Sequence, residues 1–198
     1  GRTSFGALPI QRISFEDAKY LLRKAYNNGI NYFDTARMYT DSEEKLGAAL
    51  SDVRDNIVIS TKSHAKNGKE LLEHLETSLK NLKTDYVDIL QLHNPPFLPV
   101  MGHESGLYEA AMEAKNSGKV GYIGITNHQL EIAKDAVTSG LYDTMQFPLS
   151  SISSQEDFEL VELCKEYDVG FIAMKALSGG LITNASSTFT FLRQYENV

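Results

Sequence analysis

Four side chains in the first half of the sequence could together deliver a proton to an oxygen atom. Asp34 and Tyr39 lie in NYFDTARMYTDSEEKLG, Lys62 in NIVISTK and His93 in YVDILQLH. A free tyrosine titrates at about pH 10, so it is a slow general acid unless a neighbouring group stabilises its phenolate. We predict that Lys62, kept charged by Asp34, lowers the pKa of Tyr39. His93 would then hydrogen-bond the oxygen that receives the proton.

This set of groups fits the reduction of a carbonyl better than other common reactions. It contains no pair of nucleophile and base, and its spacing indicates no metal cage. Protonation of a developing alkoxide completes a reduction only when hydride arrives from elsewhere, which implies a nicotinamide cofactor. Taken singly, each polar residue could merely end a strand or cap a helix, as Asn127 and Asp41 could. Asp34, Lys62 and His93, however, follow three consecutive strand–helix units, which favours a common site.

Short apolar runs that alternate with helical patterns must position these side chains. The runs cover residues 31–36, 56–62, 86–93, 122–127, 144–148 and 170–177, and SFGALP indicates an earlier strand. Ser14 and Asp17 predict a capping box at the start of a helix over residues 15–28, and Gly29 ends that helix. Strands that alternate with helices predict parallel strands covered by helices on both faces.

The number of strand–helix units favours an α/β fold of the (β/α)8 TIM barrel type over a doubly wound sheet. A doubly wound sheet usually carries G-x-G-x-x-G in its first turn, and the turn GALPIQRIS lacks that motif. In a (β/α)8 barrel the chemistry lies at the carboxyl ends of the strands, where Asp34, Lys62 and His93 are expected to meet. The length of 198 residues suits one domain, residues 1–198.

The motifs resemble those of the aldo-keto reductase family. GINYFDTARMY, VISTK and YVDILQLH are similar to the three segments that supply the catalytic tetrad of that family, and GITN, MQF and IAMKALSGGLIT are similar to its cofactor segments. The similarity runs from Phe5 to about Thr183 in family order. It implies an oxidoreductase that reduces an aldehyde or ketone to an alcohol, using NADP, with NAD not excluded.

The resemblance also assigns roles to individual residues. Tyr39 would be the proton donor, Lys62 and Asp34 its activating pair, and His93 the residue that orients the carbonyl. The expected cofactor contacts are Thr126, Asn127 and Gln146 around the nicotinamide carboxamide, Gly6, Ala7 and Leu8 beneath the ring with Asp34 nearby, Leu177, Gly179 and Gly180 along the pyrophosphate, and Met174 and Lys175 where many members have a stacking aromatic residue.

Both ends of the sequence differ from the family pattern. The sequence stops before an eighth strand and final helix, and an open sheet of seven strands would expose long unpaired edges, so we expect a further C-terminal part. The basic site for the adenosine 2′-phosphate would lie there, which leaves NADP over NAD as a family expectation. At the N-terminus, the short distance from GRTSFG to the first strand suggests an omitted segment.

Composition narrows the class of protein. A net charge of −7 and a pI of about 5.2 give no electrostatic reason to expect a nucleic acid or an anionic membrane as partner. No apolar run reaches the roughly 18 residues of a membrane span and no leader is evident, so a cytoplasmic location is expected. Cys164 sits at helical spacing, as a buried side chain would. The other histidines lack metal-ligand spacing, so no metal is expected.

Two further interpretations stay open at this point. A nicotinamide-binding sensor or accessory subunit on the same barrel would keep the cofactor residues without significant turnover. A barrel isomerase or metal hydrolase is a weaker alternative, because such enzymes usually need a carboxylate base or metal ligands at the strand ends. Substrate identity depends on variable loops, so the sequence predicts only a small-molecule carbonyl compound, and it does not indicate the oligomeric state.

Overall fold

A computed structural model describes residues 3–198 of the protein. In these residues the strands are β1 (Ser4–Gly6), β2 (Tyr32–Asp34), β3 (Val58–Ser63), β4 (Val87–His93), β5 (Val120–Thr126), β6 (Thr144–Pro148) and β7 (Gly170–Met174). The α-helices are α1 (Phe15–Asn27), α2 (Ser42–Leu50), α3 (Gly68–Leu82), α4 (Leu107–Asn116), α5 (Leu130–Thr138), α6 (Gln155–Glu166) and α7 (Ala185–Leu192). Short 3-10 helices cover Leu8–Arg12, Ser51–Asn56 and Ser178–Gly180.

The strand order confirms the predicted fold class. Within the described chain, the sheet has seven strands in the order β1-β2-β3-β4-β5-β6-β7. The pairs β1–β2, β2–β3, β3–β4, β5–β6 and β6–β7 are parallel. A doubly wound sheet would reverse its strand order at a switch point, whereas this order follows the sequence throughout. The topology is that of a (β/α)8 barrel over its first seven strands.

The described residues divide into two compact units. The first unit contains the residues up to His93 together with Pro99–Ile123, and the second contains Asn94–Leu98 and Gly124–Val198. The first unit thus carries β1 to β4, and the second carries β6 and β7. The organisation as a single domain stays a prediction.

The first helix forms where the sequence predicts it. Ser14 caps α1 by accepting a hydrogen bond of 3.1 Å from the Asp17 N–H, and Gly29, just beyond the helix, has a φ of +90°. Gly47 in α2 lies against the end of α3, where an added Cβ would come within 2.3 Å of the Asn81 carbonyl oxygen. Only glycine allows this close approach of the two helices.

In the second unit, α6 is capped at its start and buries a cysteine. Ser154 and Asp157 form a full capping box there. Cys164 is buried on the inner face of α6, and burial raises the pKa of its thiol to about 12, which agrees with its predicted packing role. None of the helices within residues 3–198 combines the length and apolar composition that a membrane crossing requires.

Candidate active site

The register of the sheet in the first unit explains why distant residues meet. Asp34 at the end of β2 pairs with Ser60 of β3, and Lys62 of β3 pairs with Gln91 of β4. His93 is the last residue of β4. Because alternate residues of a strand point to the same face, Asp34, Ser60 and Lys62 project on one side of the sheet. The predicted gathering of polar side chains at the strand ends is therefore present.

Lys62 and Asp34 form a buried ion pair. The Lys62 Nζ donates one hydrogen bond to Asp34 Oδ2 at 2.6 Å and another to the Thr35 carbonyl oxygen at 2.6 Å. Lys62 is 2% exposed and Asp34 is 8% exposed. Burial lowers the pKa of Lys62, and the Asp34 carboxylate opposes that effect by favouring the ammonium form. The pair is thus anchored as predicted, in surroundings that make its charges costly to separate.

Tyr39 lies beside this pair in the loop between β2 and α2. The Lys62 Nζ lies 5.4 Å from the centroid of the Tyr39 ring. The ring of His93 meets that of Tyr39 at a centroid distance of 6.0 Å and an angle of 83°, an edge-to-face contact. All four residues predicted as a catalytic tetrad are therefore neighbours within the first unit.

The electrostatic prediction for Tyr39 is wrong in its direction. The pKa of Tyr39 is raised to about 12, first because burial disfavours the phenolate and second because the Asp34 carboxylate repels it. Lys62 does not reverse this, since it directs two hydrogen bonds at Asp34 and Thr35 and its charge is balanced by Asp34. Tyr39 therefore keeps its proton at neutral pH, which is the form a proton donor needs.

Sequence reasoning missed the role of Glu43. The acidic run TDSEE contains the start of α2, which begins at Ser42. Glu43 is nevertheless buried, pairs with Arg37 and accepts a hydrogen bond of 2.7 Å from Thr61 Oγ1. The spacing of Glu43 from the buried residues Leu46 and Leu50 places it on the inner face of α2, and that spacing could have indicated its burial.

The predicted cofactor residues of the first unit lie next to Asp34. Gly6 pairs with Asp34 across β1 and β2, and the Ala7 N–H donates a hydrogen bond of 2.8 Å to the Asp34 carbonyl oxygen. Leu8, which begins the following 3-10 helix, is partly exposed. A Cβ added at Gly6 would meet no other atom within 4 Å, so packing within the protein does not require glycine there. This strand end fits a flat ring laid against the backbone.

The polar ends of β5 and β6 meet in the second unit. Thr126 pairs with Gln146, and the Asn127 N–H donates to the Gln146 carbonyl oxygen at 3.2 Å. The Asn127 side chain donates to the Pro95 carbonyl oxygen at 3.0 Å and accepts from the Gln129 N–H at 2.8 Å. An amide can make up to four hydrogen bonds, so this structural role of Asn127 is compatible with a further contact to a carboxamide.

Two glycines in the segment after β7 have a left-handed backbone. Gly179 and Gly180 have φ values of +69° and +101°, and a Cβ added at either would meet no atom within 4 Å. Glycine lets such a backbone approach a phosphate closely, and Leu177, at the start of this 3-10 turn, accepts a 2.9 Å hydrogen bond from the Gly180 N–H. Met174 ends β7 and is half-buried. These residues fit the pyrophosphate of a dinucleotide.

Lys175 makes a contact that the sequence did not indicate. Its backbone is left-handed, with a φ of 58°, and its exposed Nζ lies 3.0 Å from His128 Nε2. The other ring nitrogen of His128 lies 3.2 Å from Asn94 Oδ1. Over the described residues, no group of three or more His, Cys, Asp or Glu side chains could hold a metal ion.

The chain resembles known proteins in both sequence and fold. A family model described as the Aldo/keto reductase family matches residues 1–190. The chain is 31% identical over 198 residues to L-galactose dehydrogenase of Arabidopsis thaliana, an alignment that covers 90% of this chain and 62% of that protein. The chain thus spans less than two thirds of the length of this relative.

Two solved structures show the same fold. The aldo-keto reductase AKR11C1 from Bacillus halodurans, in its holo form, matches 92% of this chain and 64% of its own length with a TM-score of 0.80 and 24% identity. The aldo-keto reductase AKR2E4 of Bombyx mori, in complex with NADP, matches 87% of this chain and 62% of its own length with a TM-score of 0.72 and 20% identity.

Proposed function

The chain belongs to the aldo/keto reductase family, and we propose that its site reduces the carbonyl group of a small aldehyde or ketone to an alcohol. One observation carries the proposal above the others. The buried Lys62–Asp34 pair lies directly beside Tyr39, and the His93 ring contacts the Tyr39 ring. A site for acyl transfer or hydrolysis would need a nucleophile or a metal. The proposed role of Tyr39 as a proton donor supplies neither of these.

The four residues divide the work of proton transfer. Tyr39, protonated because its pKa is raised, donates its hydroxyl proton to the oxygen of the substrate. The Lys62 ammonium, which Asp34 holds near the ring, then stabilises the phenolate left behind. His93 donates a hydrogen bond that fixes the carbonyl oxygen in reach of Tyr39. When bound, a nicotinamide cofactor supplies hydride to the carbonyl carbon.

The resemblance to the family supports the assignment of the cofactor contacts. Gly6, Ala7 and Leu8 would lie against the nicotinamide ring. Thr126, Asn127 and Gln146 would bind the carboxamide. The segment after β7 would bind the phosphates through Met174, Lys175, Leu177, Gly179 and Gly180. Both NADP and NAD suit these residues. We propose NADP, because the resemblance to the family favours it.

The sharpest test replaces the proton donor and a matched phenol. In the full-length protein, Tyr39→Phe should lower the rate of NADPH oxidation with an aromatic or dicarbonyl aldehyde by about 10²- to 10⁴-fold, the usual contribution of a general acid. Fluorescence titration should show unchanged cofactor affinity. Tyr32 is another half-buried tyrosine, and its pKa is likewise raised by burial and by Asp34. Tyr32→Phe should leave the rate close to that of the parent protein.

Three results would count against the proposal. An unchanged rate in Tyr39→Phe would remove its assigned proton donor. Cofactor binding without turnover on any carbonyl compound, in the parent protein, would favour the sensor or accessory-subunit function instead. An equal loss of rate in both tyrosine variants would show that the loss is not specific to Tyr39.

A further inference from the structure

A second pair of polar side chains lies two residues before the proposed catalytic residues on the same strands. Ser60 precedes Lys62 by two positions on β3, and Gln91 precedes His93 by two positions on β4. Side chains two residues apart on a strand point to the same face. Ser60 and Gln91 are both 0% exposed.

A glutamine at this position needs an explanation. The residues that precede Gln91 on the same face of β4 are Val87 and Ile89, which are buried and apolar. A long amide is seldom fully buried, because removing it from water costs free energy unless its polar atoms find partners. An apolar residue would satisfy the packing of β4 without that cost, so packing alone does not account for Gln91.

The contacts of Gln91 point at the ion pair. Gln91 Nε2 donates a hydrogen bond of 2.7 Å to Ser60 Oγ and a longer one of 3.4 Å to Asp34 Oδ1. Lys62 Nζ donates to the other carboxylate oxygen, Asp34 Oδ2, at 2.6 Å. The two oxygens of Asp34 are therefore held from different strands, which restricts rotation of the carboxylate.

We propose that Gln91 is a positioning residue for carbonyl reduction, with Ser60 orienting its amide. By holding Asp34 Oδ1, Gln91 fixes the carboxylate so that Asp34 Oδ2 aims the Lys62 ammonium at the Tyr39 ring. Its amide does this without adding a charge. A negative group in its place would disfavour the phenolate that forms at Tyr39. This inference rests on the proposed reductase function.

The most informative variant is Gln91→Glu, which keeps the shape of the side chain. A carboxyl group facing Asp34 titrates above its ordinary value of about 4.3, because two neighbouring carboxylates repel each other. When protonated, it donates to Asp34 in place of the amide, and when ionised it repels Asp34. We expect kcat to be near that of the parent at low pH and to fall about tenfold as pH rises above about 5, a limb that the parent profile lacks.

A second variant measures the hydrogen bonds themselves. Gln91→Leu should lower kcat about tenfold at all pH values, the kinetic equivalent of one weak hydrogen bond to a charged group. KM should change little, because Gln91 does not touch the substrate. Ser60→Ala, which removes only the support of the Gln91 amide, should give a smaller loss in the same direction. Ser60→Ala also keeps the test available if Gln91→Leu fails to fold.

Thr61→Val provides a matched control. It removes a buried hydrogen bond, that of Thr61 to Glu43, one residue from Lys62 but on the opposite face of β3. This variant should lose stability without gaining the new pH limb. A readout independent of turnover is the carboxyl carbon resonance introduced by Gln91→Glu, whose NMR titration should show a pKa above about 4.3.

The outcomes separate this inference from the proposed function. If Tyr39→Phe loses activity but Gln91→Glu shows a pH profile parallel to that of the parent, the positioning role is wrong and the reductase function stands. The same conclusion follows if Thr61→Val reproduces the limb. If the introduced carboxyl titrates at its ordinary pKa, it does not face Asp34 and the inference fails even where no turnover is measured.

Discussion

Each of the two units places a lysine at the carboxyl end of a strand, and the two lysines have opposite surroundings. In the first unit, Lys62 is buried and its Nζ bonds to a carboxylate and a carbonyl oxygen. In the second unit, Lys175 is exposed and its Nζ contacts the imidazole of His128. The first lysine is thus part of a fixed ion pair, whereas the second presents a positive charge to solvent or to a ligand.

This difference shows that position on the rim does not decide what a lysine does. Because Lys62 is buried, its ammonium form is stabilised by the Asp34 carboxylate, and its charge lies close to the Tyr39 ring. The Nζ of Lys175 contacts an imidazole instead of a carboxylate, and its positive charge lowers the pKa of His128 after the larger effect of burial. This contrast supports the proposed roles of Lys62 in proton transfer and of Lys175 in binding the cofactor phosphates.

The largest expected effect comes from breaking the buried pair. Lys62→Met leaves Asp34 with an uncompensated charge, so the free energy of unfolding should fall by about 3–5 kcal/mol and reductase activity should fall at least 10²-fold. Urea denaturation and NADPH oxidation measure the two quantities. The double variant Asp34→Asn/Lys62→Met removes both charges, so it should recover most of the stability and none of the activity.

The double variant decides between a structural and a catalytic role for the pair. If activity returned with stability, the pair would serve only to hold the fold together. If neither returned, an interaction other than the mutual charge of Lys62 and Asp34 would hold the strand ends. Recovery of stability alone is the result that the assigned role requires.

The raised pKa of Tyr39 gives an intermediate effect on stability. The native state favours the neutral phenol, since the pKa of Tyr39 is about 12 in the fold, against about 10 for a free tyrosine. The resulting stabilisation is complete below about pH 10 and is lost as pH rises towards 12. The difference in unfolding free energy between the parent and Tyr39→Phe should therefore shrink over that range. A constant difference would show that the Tyr39 hydroxyl is not shielded from water.

The sequence predicted the fold and the meeting of the tetrad because both follow from periodic patterns. Parallel strand–helix units bring the ends of β2, β3 and β4 to one rim, so Asp34, Lys62 and His93 could be placed without coordinates. The direction of the pKa shift of Tyr39, in contrast, was predicted wrongly. The pKa of Tyr39 depends on how much water surrounds its ring and on the distance to Asp34, and neither is written in residue spacing.

Side-chain contacts between elements that are distant in sequence were harder to predict. Glu43 and Gln91 are polar residues in buried positions, and their partners lie on elements distant in sequence. The contact of Lys175 with His128 joins residues 47 positions apart on an exposed rim, where no apolar pattern constrains the register. The cytoplasmic location and the contacts with the cofactor stay predictions, because they depend on molecules outside this chain.

The smallest expected effect lies at Lys175. Lys175→Met should change the free energy of unfolding by no more than about 0.5 kcal/mol, because an exposed side chain contributes little to stability. Its positive charge is the second cause, after burial, that lowers the pKa of His128. The pKa of His128 should therefore rise in this variant and still stay below its ordinary value, as measured by NMR titration of the imidazole.

Lys175→Arg is the matched control, since it retains the positive charge and should leave the pKa of His128 low. The affinity for NADPH should fall in Lys175→Met and be largely kept in Lys175→Arg, because a phosphate responds to charge more than to the shape of the cation. A loss of stability in Lys175→Met as large as that in Lys62→Met would contradict the distinction between the buried and the exposed lysine. If the pKa of His128 were the same in Lys175→Met as in the parent, the Lys175 ammonium would not lie next to the imidazole. Its charge would then not be fixed at the position proposed for binding an anion.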